Sequence, residues 1–117
     1  MQKNRFSKYN DGVVLIYRAK DRKTDFNAKR NVSTLDDMDF VVKLDYEEMS
    51  KREQDMEFAE QRGFSLSMKV KTRLMKAVDS KCKAVIGDDL YDISHLDPSR
   101  TEMFLYMEYI RKVGESN

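Results

Sequence analysis

The residues that could take part in catalysis are few, and their placement does not suit it. His95 is the only histidine, and it lies at the end of a predicted strand, beside a turn. Ser94 precedes it, but neighbouring strand residues point to opposite faces, so the two cannot form a nucleophile–base pair. The acidic pairs lie in loops or at the ends of elements, where they stay solvated. These pairs are Asp36-Asp37, Glu47-Glu48 and Asp88-Asp89. We therefore predict a protein without catalytic residues.

Metal and cofactor sites are not indicated either. Cys82 is the only cysteine, which excludes an internal disulfide and a metal site with several cysteine ligands. It lies among apolar residues, so we predict a small buried side chain. The single histidine excludes a zinc site with several histidine ligands. The four glycines are isolated and form no glycine-rich phosphate loop. We expect neither a metal nor a cofactor.

Basic side chains recur at every second position near the end of residues 64–73. Larger side chains alternate there with small or basic ones, which is typical of a strand with one buried and one solvated face. The first set is Phe64, Leu66, Met68, Val70 and Thr72, and the second is Ser65, Ser67, Lys69, Lys71 and Arg73. A small barrel that exposes Lys69, Lys71 and Arg73 could bind single-stranded nucleic acid. Such residues are more often simply solvated.

The overall composition indicates a single intracellular domain whose net charge does not favour any class of binding partner. The chain has 117 residues, with 22 Lys and Arg against 21 Asp and Glu, so its net charge is +1. This balance predicts neither nucleic-acid nor anionic-membrane binding, and it makes self-association easier. We find no signal peptide or membrane span, so a reducing compartment is expected. We expect a single domain over residues 1–117, with a flexible arm over 1–11 and a flexible tail over 113–117.

The remaining patterns predict five further strands and one helix. The strands are expected over residues 13–17, 39–46, 83–86, 90–96 and 101–112, with a hairpin turn at 87–89. In the second of them Phe40, Val42, Leu44 and Tyr46 should share one face. Together with residues 64–73, they predict a small antiparallel β-barrel of about six strands, closed or partly open, with one short helix and a long loop.

The helix is predicted over residues 51–62. Ser50 and Glu53 have the spacing of a capping box, and Gly63 stands where a helix end favours a left-handed residue. Its few apolar residues cannot form a wide buried stripe, so we expect the helix on the rim of the barrel or against a partner.

The last predicted strand is apolar on both faces. Met103 and Leu105 lie on one face, while Phe104 and Tyr106 lie on the other. Such a strand is either central or covered by another chain.

The long loop over residues 18–37 has no periodicity and is rich in basic residues. These are Arg18, Lys20, Arg22, Lys23, Lys29 and Arg30. Loops of this length are often functional or disordered. The loop is either a solvated excursion or a segment that reaches a neighbouring subunit or lines a channel.

Short motifs in the second half of the chain resemble the head-tail joining (head closure, or adaptor) proteins of tailed bacteriophages. In that family a helix with an Arg-Glu pair and an alanine precedes a strand that ends in arginine, and a Tyr-Asp-Ile hairpin and a last strand close a small barrel. The corresponding residues are Arg52-Glu53, Phe58-Ala59-Glu60-Gln61, Met68–Arg73, Val78-Asp79, residues 83–86, Tyr91-Asp92-Ile93 and Tyr106-Met107-Glu108. The match covers about half of the chain. It departs from the family at Leu74-Met75, where a second aromatic or basic residue is common.

The resemblance implies a structural protein of the virion, assembled in the bacterial host cytoplasm. Copies would form a homo-oligomeric ring that contacts the portal or adaptor and the tail and closes the DNA-filled head. The basic loop would touch passing DNA without sequence preference. No membrane partner, cofactor or catalytic residue is implied. Candidate interface residues are Arg52, Glu53, Arg73, Phe104 and Tyr106. The alternatives are a barrel that binds single-stranded nucleic acid and an intracellular interaction domain unrelated to phage.

Overall fold

The computed structural model describes residues 9–19 and 38–113, and in them six strands form a closed antiparallel barrel with one helix. The elements are β1 Gly12–Ala19, β2 Met38–Met49, α1 Glu53–Arg62, β3 Met68–Arg73, β4 Cys82–Ile86, β5 Asp89–Pro98 and β6 Glu102–Lys112. The predicted small β-barrel is therefore confirmed. Most of the predicted arm, tail and long loop lies outside the described residues.

The chain builds the barrel from two three-stranded meanders. The order around the ring is β1-β2-β3-β6-β5-β4, with β4 hydrogen-bonded back to β1. Because β3 and β4 lie on opposite sides of this ring, residues 74–81 must cross one end of the barrel. Val78 is buried there, and Leu74 and Met75 pack against the interior. The crossing segment therefore plugs that end, a role that its sequence does not reveal.

The interior is filled by inward-facing side chains from all six strands. They include Val14, Ile16, Leu44, Tyr46, Val70, Cys82, Ala84, Tyr91, Ile93, Met103, Leu105 and Met107. Cys82 is 1% exposed, which confirms the prediction of a small buried side chain, and burial raises the pKa of its thiol. Apolar burial of this kind is the main favourable term in the folding of the barrel.

The prediction that Phe40 shares the buried face of Leu44 and Tyr46 is wrong. In the pairing with β1, Ile16 lies opposite Val42 and Tyr17 lies opposite Phe40, which leaves one extra residue in β2. This β-bulge reverses the alternation, so Phe40 lies on the outer surface and is 56% exposed. Its ring meets that of Tyr17 edge-on, with 5.7 Å between the centroids.

Helix α1 begins two residues later than the predicted capping box. The carboxylate of Asp55, not that of Glu53, accepts the capping hydrogen bond, and the donor is the backbone N–H of Arg52 at 3.0 Å. The Ser50–Glu53 assignment is therefore wrong, although the acceptor is still an acidic side chain at the third helical position.

Two predicted glycine positions are confirmed. Gly63 has a φ of 83° and ends α1, and the N–H of the next residue, Phe64, donates to the carbonyl of Ala59 at 3.0 Å. Gly87 has a φ of 63° in the two-residue turn between β4 and β5, where Ile86 pairs with Asp89.

We predict that Val70→Ala lowers the free energy of unfolding by about 2 kcal/mol, because it removes two buried carbons and leaves a cavity. Val70 is fully buried, whereas Val13, on another strand of the same barrel, is 39% exposed. The matched Val13→Ala change should cost less than about 1 kcal/mol. Urea unfolding of both variants checks this, and equal losses would contradict the assignment of Val70 to the core.

Candidate interaction surface

The outer face of β3 and β6 is covered by α1, and we call this contact the α1 face. On both strands the inward side chains alternate with outward ones, so Lys69, Phe104 and Tyr106 point towards the helix. Ala59 of α1 and Leu66 of the α1–β3 connection pack against Tyr106, with Phe58, Phe64 and Phe104 around them. The second apolar face of β6 is therefore covered by a helix of the same chain.

A buried ion pair joins α1 to β3. The Lys69 Nζ lies 3.2 Å from both carboxylate oxygens of Asp55, and the two side chains are only 8% and 9% exposed. Burial would raise the pKa of the Asp55 carboxyl, but the hydrogen bond from the Arg52 backbone and the Lys69 ammonium outweigh this and hold the pKa below its usual value. The carboxylate is therefore charged at neutral pH.

The Lys69 ammonium also lies near two aromatic rings. It is 5.1 Å from the centroid of the Tyr106 ring and 5.5 Å from that of Phe104. The ring faces carry partial negative charge and attract a desolvated cation. The Tyr106 hydroxyl donates a long hydrogen bond of 3.5 Å to Asp55. The charge of Lys69 is thus compensated within the chain.

The prediction that Lys69 lies on an open, solvated strand face is wrong. The side chain does point away from the interior, but α1 lies over it and it is buried. Lys71, two residues on, is 19% exposed and lies 3.3 Å from a carboxylate oxygen of Glu47 and 4.0 Å from one of Glu102. Arg73 is exposed at the end of β3. The three residues therefore do not form one open basic surface.

His95 belongs to the aromatic cluster beside this ion pair. The centroid of its ring lies 4.8 Å from that of Phe58 and 5.3 Å from that of Tyr106. Burial and the positive charge of Arg62 lower the pKa of His95, while Asp97 acts in the opposite direction. Arg62 itself lies over the Phe58 ring, with its guanidinium carbon 4.5 Å from the ring centroid. The imidazole thus takes part in packing between α1 and β6.

The structure separates the candidate interface residues into two groups. Phe104 is partly buried and Tyr106 is 9% exposed, and both lie under α1. Arg52 and Glu53 are exposed at the start of α1, and Arg73 is exposed at the far end of β3. The exposed candidates therefore lie in two separate regions.

Arg18 belongs to β1 and holds the crossing segment in place. Its guanidinium donates to the carbonyl of Ala77 at 2.8 Å and lies 3.4 Å from the Asp79 carboxylate. The Lys81 backbone N–H, supported by Arg18, holds the pKa of the Asp79 carboxyl below its usual value. The other basic loop candidates lie outside the described residues. These are Lys20, Arg22, Lys23, Lys29 and Arg30.

Sequence reasoning missed Asp55. It lies three residues after Arg52, at the third position of the helix, which is the only signal that could have marked it as a capping residue. Its pairing with Lys69 could not be read from the sequence, because it depends on how α1 lies on β3.

Comparison with models of known protein families gives no match, and comparison with curated proteins gives no significant match. Among the described residues, no helix has the length and apolar character needed to cross a membrane. In the same residues, no three His, Cys, Asp or Glu side chains are grouped so that they could hold a metal ion.

We predict that Lys69→Met lowers the free energy of unfolding by about 1–3 kcal/mol, because Asp55 keeps its charge in a buried site without its partner. Lys71→Met is the matched control: it removes the same charge from the same side of the same strand, but at a more exposed position. It should cost less than about 1 kcal/mol. Similar losses in the two variants would show that the buried pair has no special role.

The lowered pKa of His95 predicts that stability falls with acidification below about pH 6.5. Above that pH the imidazole is neutral in both the folded and the unfolded chain. As the pH falls through the unfolded and then the folded pKa, the unfolded chain binds the proton first, which favours unfolding. His95→Gln should remove this part of the pH dependence. Urea unfolding between pH 5 and 7.5 would measure it, and an unchanged dependence in the variant would contradict the assignment.

Proposed function

We propose that this protein is a structural head-tail connector of a tailed bacteriophage or prophage. It would join the portal or adaptor of the DNA-filled head to the tail and close the head after packaging. The observation that carries the proposal is the ordered set of motifs from Arg52-Glu53 through Met68–Arg73 to Tyr91-Asp92-Ile93, which resembles that family.

The placement of these motifs on the fold supports the proposal. The helix motif leads directly into β3, and β3 pairs with β6, so three of the motifs form one continuous part of the molecule. Among the described strands the ring of pairing is closed, so assembly would use outward-facing side chains. A ring requires two different patches on each subunit. One exposed region contains Arg52 and Glu53 at the start of α1, and the other contains Arg73 at the end of β3.

The two points at which the basic loop joins the barrel are compatible with a channel through such a ring. Ala19 and Met38 pair at the ends of β1 and β2, so the chain leaves and re-enters the barrel at one place. β3 runs antiparallel to β2, so its Arg73 end points in the direction of the Met38 end of β2. Basic residues in the loop would meet the phosphates of passing DNA, and such contact is independent of sequence and weakened by salt.

The alternative of a barrel that binds single-stranded nucleic acid has less support. Two of its three proposed residues are compensated by acidic partners, Lys69 by Asp55 and Lys71 by Glu47 and Glu102. A binding groove for nucleic acid needs uncompensated basic residues and accessible aromatic rings. Here the aromatic rings next to Lys69 pack under α1.

The connector proposal predicts that Arg73→Glu reduces the yield of joined head-tail particles at least about tenfold. The change reverses an interface charge, and like charges that face each other across an interface cost several kcal/mol. The free chain should keep its stability within about 0.5 kcal/mol, because Arg73 is exposed. Infectious titre and electron microscopy of particles from a complemented deletion strain would measure the yield.

Arg100→Glu makes the same charge change at another exposed position, outside the matched motifs, and serves as the control. Normal particles in the strain that lacks the gene altogether would refute the connector function. Normal particles with Arg73→Glu alone would refute only the role of Arg73. Tight oligonucleotide binding by the isolated monomer would instead favour the nucleic-acid-binding barrel.

A further inference from the structure

The barrel is complete without α1. Its ring of backbone hydrogen bonds runs through the six strands alone, and the interior cluster contains no residue of the helix. The helix lies against the outer surface of β3 and β6, so its position does not affect closure of the ring. Removing it would expose one outer face but would open no strand pair.

Few side chains attach α1 to the barrel. Of its ten residues only Asp55 and Ala59 are buried, and Phe58 is partly buried. Met56, the other large apolar residue, points outwards and is 44% exposed. The contact with the strands is made by side chains of the aromatic cluster and by the Asp55–Lys69 pair. A helix of this length is not stable by itself in water, so it stays folded only while it is docked.

The strongest polar attachment of α1 is also the group that caps it. One carboxylate, that of Asp55, binds the Lys69 ammonium at 3.2 Å and accepts the Arg52 N–H at 3.0 Å. Desolvation of the two charges offsets most of their attraction, so the pair adds little net stability. When the carboxylate leaves Lys69, both charges regain water, and Lys69 no longer holds in place the side chain that caps the helix.

From these features we infer that α1 is a strap that detaches from β3 and β6 as a unit while the barrel stays folded, with the Asp55–Lys69 pair as its latch. Detachment uncovers Leu66, Phe104 and Tyr106, which form an apolar surface on the outside of the barrel. The docked helix thus shields this surface in the free chain. The inference uses only the packing of α1 and does not depend on the connector function.

Native-state hydrogen exchange on the full chain, at residue resolution and in low concentrations of denaturant, tests the strap. The amides of α1 should be protected at least about tenfold less than those of β1 and β4, because they exchange by local opening and not by global unfolding. Lys69→Met should lower the protection of α1 by about tenfold, since opening releases the unpaired Asp55 carboxylate to water. The amides of β1 and β4 should lose protection by the same factor, because the change destabilises the docked state relative to both the open and the globally unfolded chain.

Lys71→Met is again the matched control and should leave the protection of α1 unchanged. If Lys69→Met does not fold, Asp55→Asn removes the same pair from the helix side and should have the same effect. Equal protection of α1 and the barrel in the unaltered chain would overturn the proposal. A loss of protection in β1 and β4 but not in α1 of either latch variant would show that the pair is not broken on detachment, and would overturn it as well.

Discussion

Closure of the strand ring is the constraint on which the rest of this structure depends. The backbone groups at the outer edges of the two three-stranded meanders find hydrogen-bond partners because β3 pairs with β6 and β4 pairs with β1. That pairing places β3 and β4 on opposite sides, so residues 74–81 must cross the end of the barrel. Arg18 then binds the crossing segment at Ala77 and Asp79, which attaches the C-terminal end of β1 to that segment.

Closure also determines where any function can lie. The interior is packed with apolar side chains, so another molecule can bind only at the outside of the barrel. The outer faces are the surfaces available for binding, and they differ in how much of their apolar surface is covered. One is covered by α1 through a buried ion pair and an aromatic cluster. Another, on β1 and β2, exposes Phe40 and Val13 to solvent.

The two proposals concern the same side of the molecule but rest on different observations. The connector function rests on the order of short motifs and on two separate exposed regions. The strap rests on how few side chains hold α1 to β3 and β6. Taken together, they describe a barrel of constant shape on which helix α1 controls access to an apolar surface. A subunit that should assemble only at its proper site would benefit from keeping such a surface covered.

The sequence by itself determined the local features of this protein. Alternation of apolar and polar side chains predicted the strands, although β3 begins at Met68 and not at residue 64, and Phe64 and Leu66 pack against α1. Gly63 and Gly87 marked the helix end and the turn that need a positive φ. The number and spacing of the strands predicted a small barrel. These features could be read because each depends on residues that are near one another in the chain.

The tertiary structure alone decided which outward side chains are solvated. Phe40 changed face because of a bulge that only the pairing with β1 reveals. Lys69 points outwards, as alternation predicted, yet it is buried because α1 lies over it and brings Asp55 within 3.2 Å. Periodicity tells which way a side chain points, but burial and charge compensation depend on what packs against it. That contact joins residues 14 positions apart and forms only when the helix docks on the closed barrel.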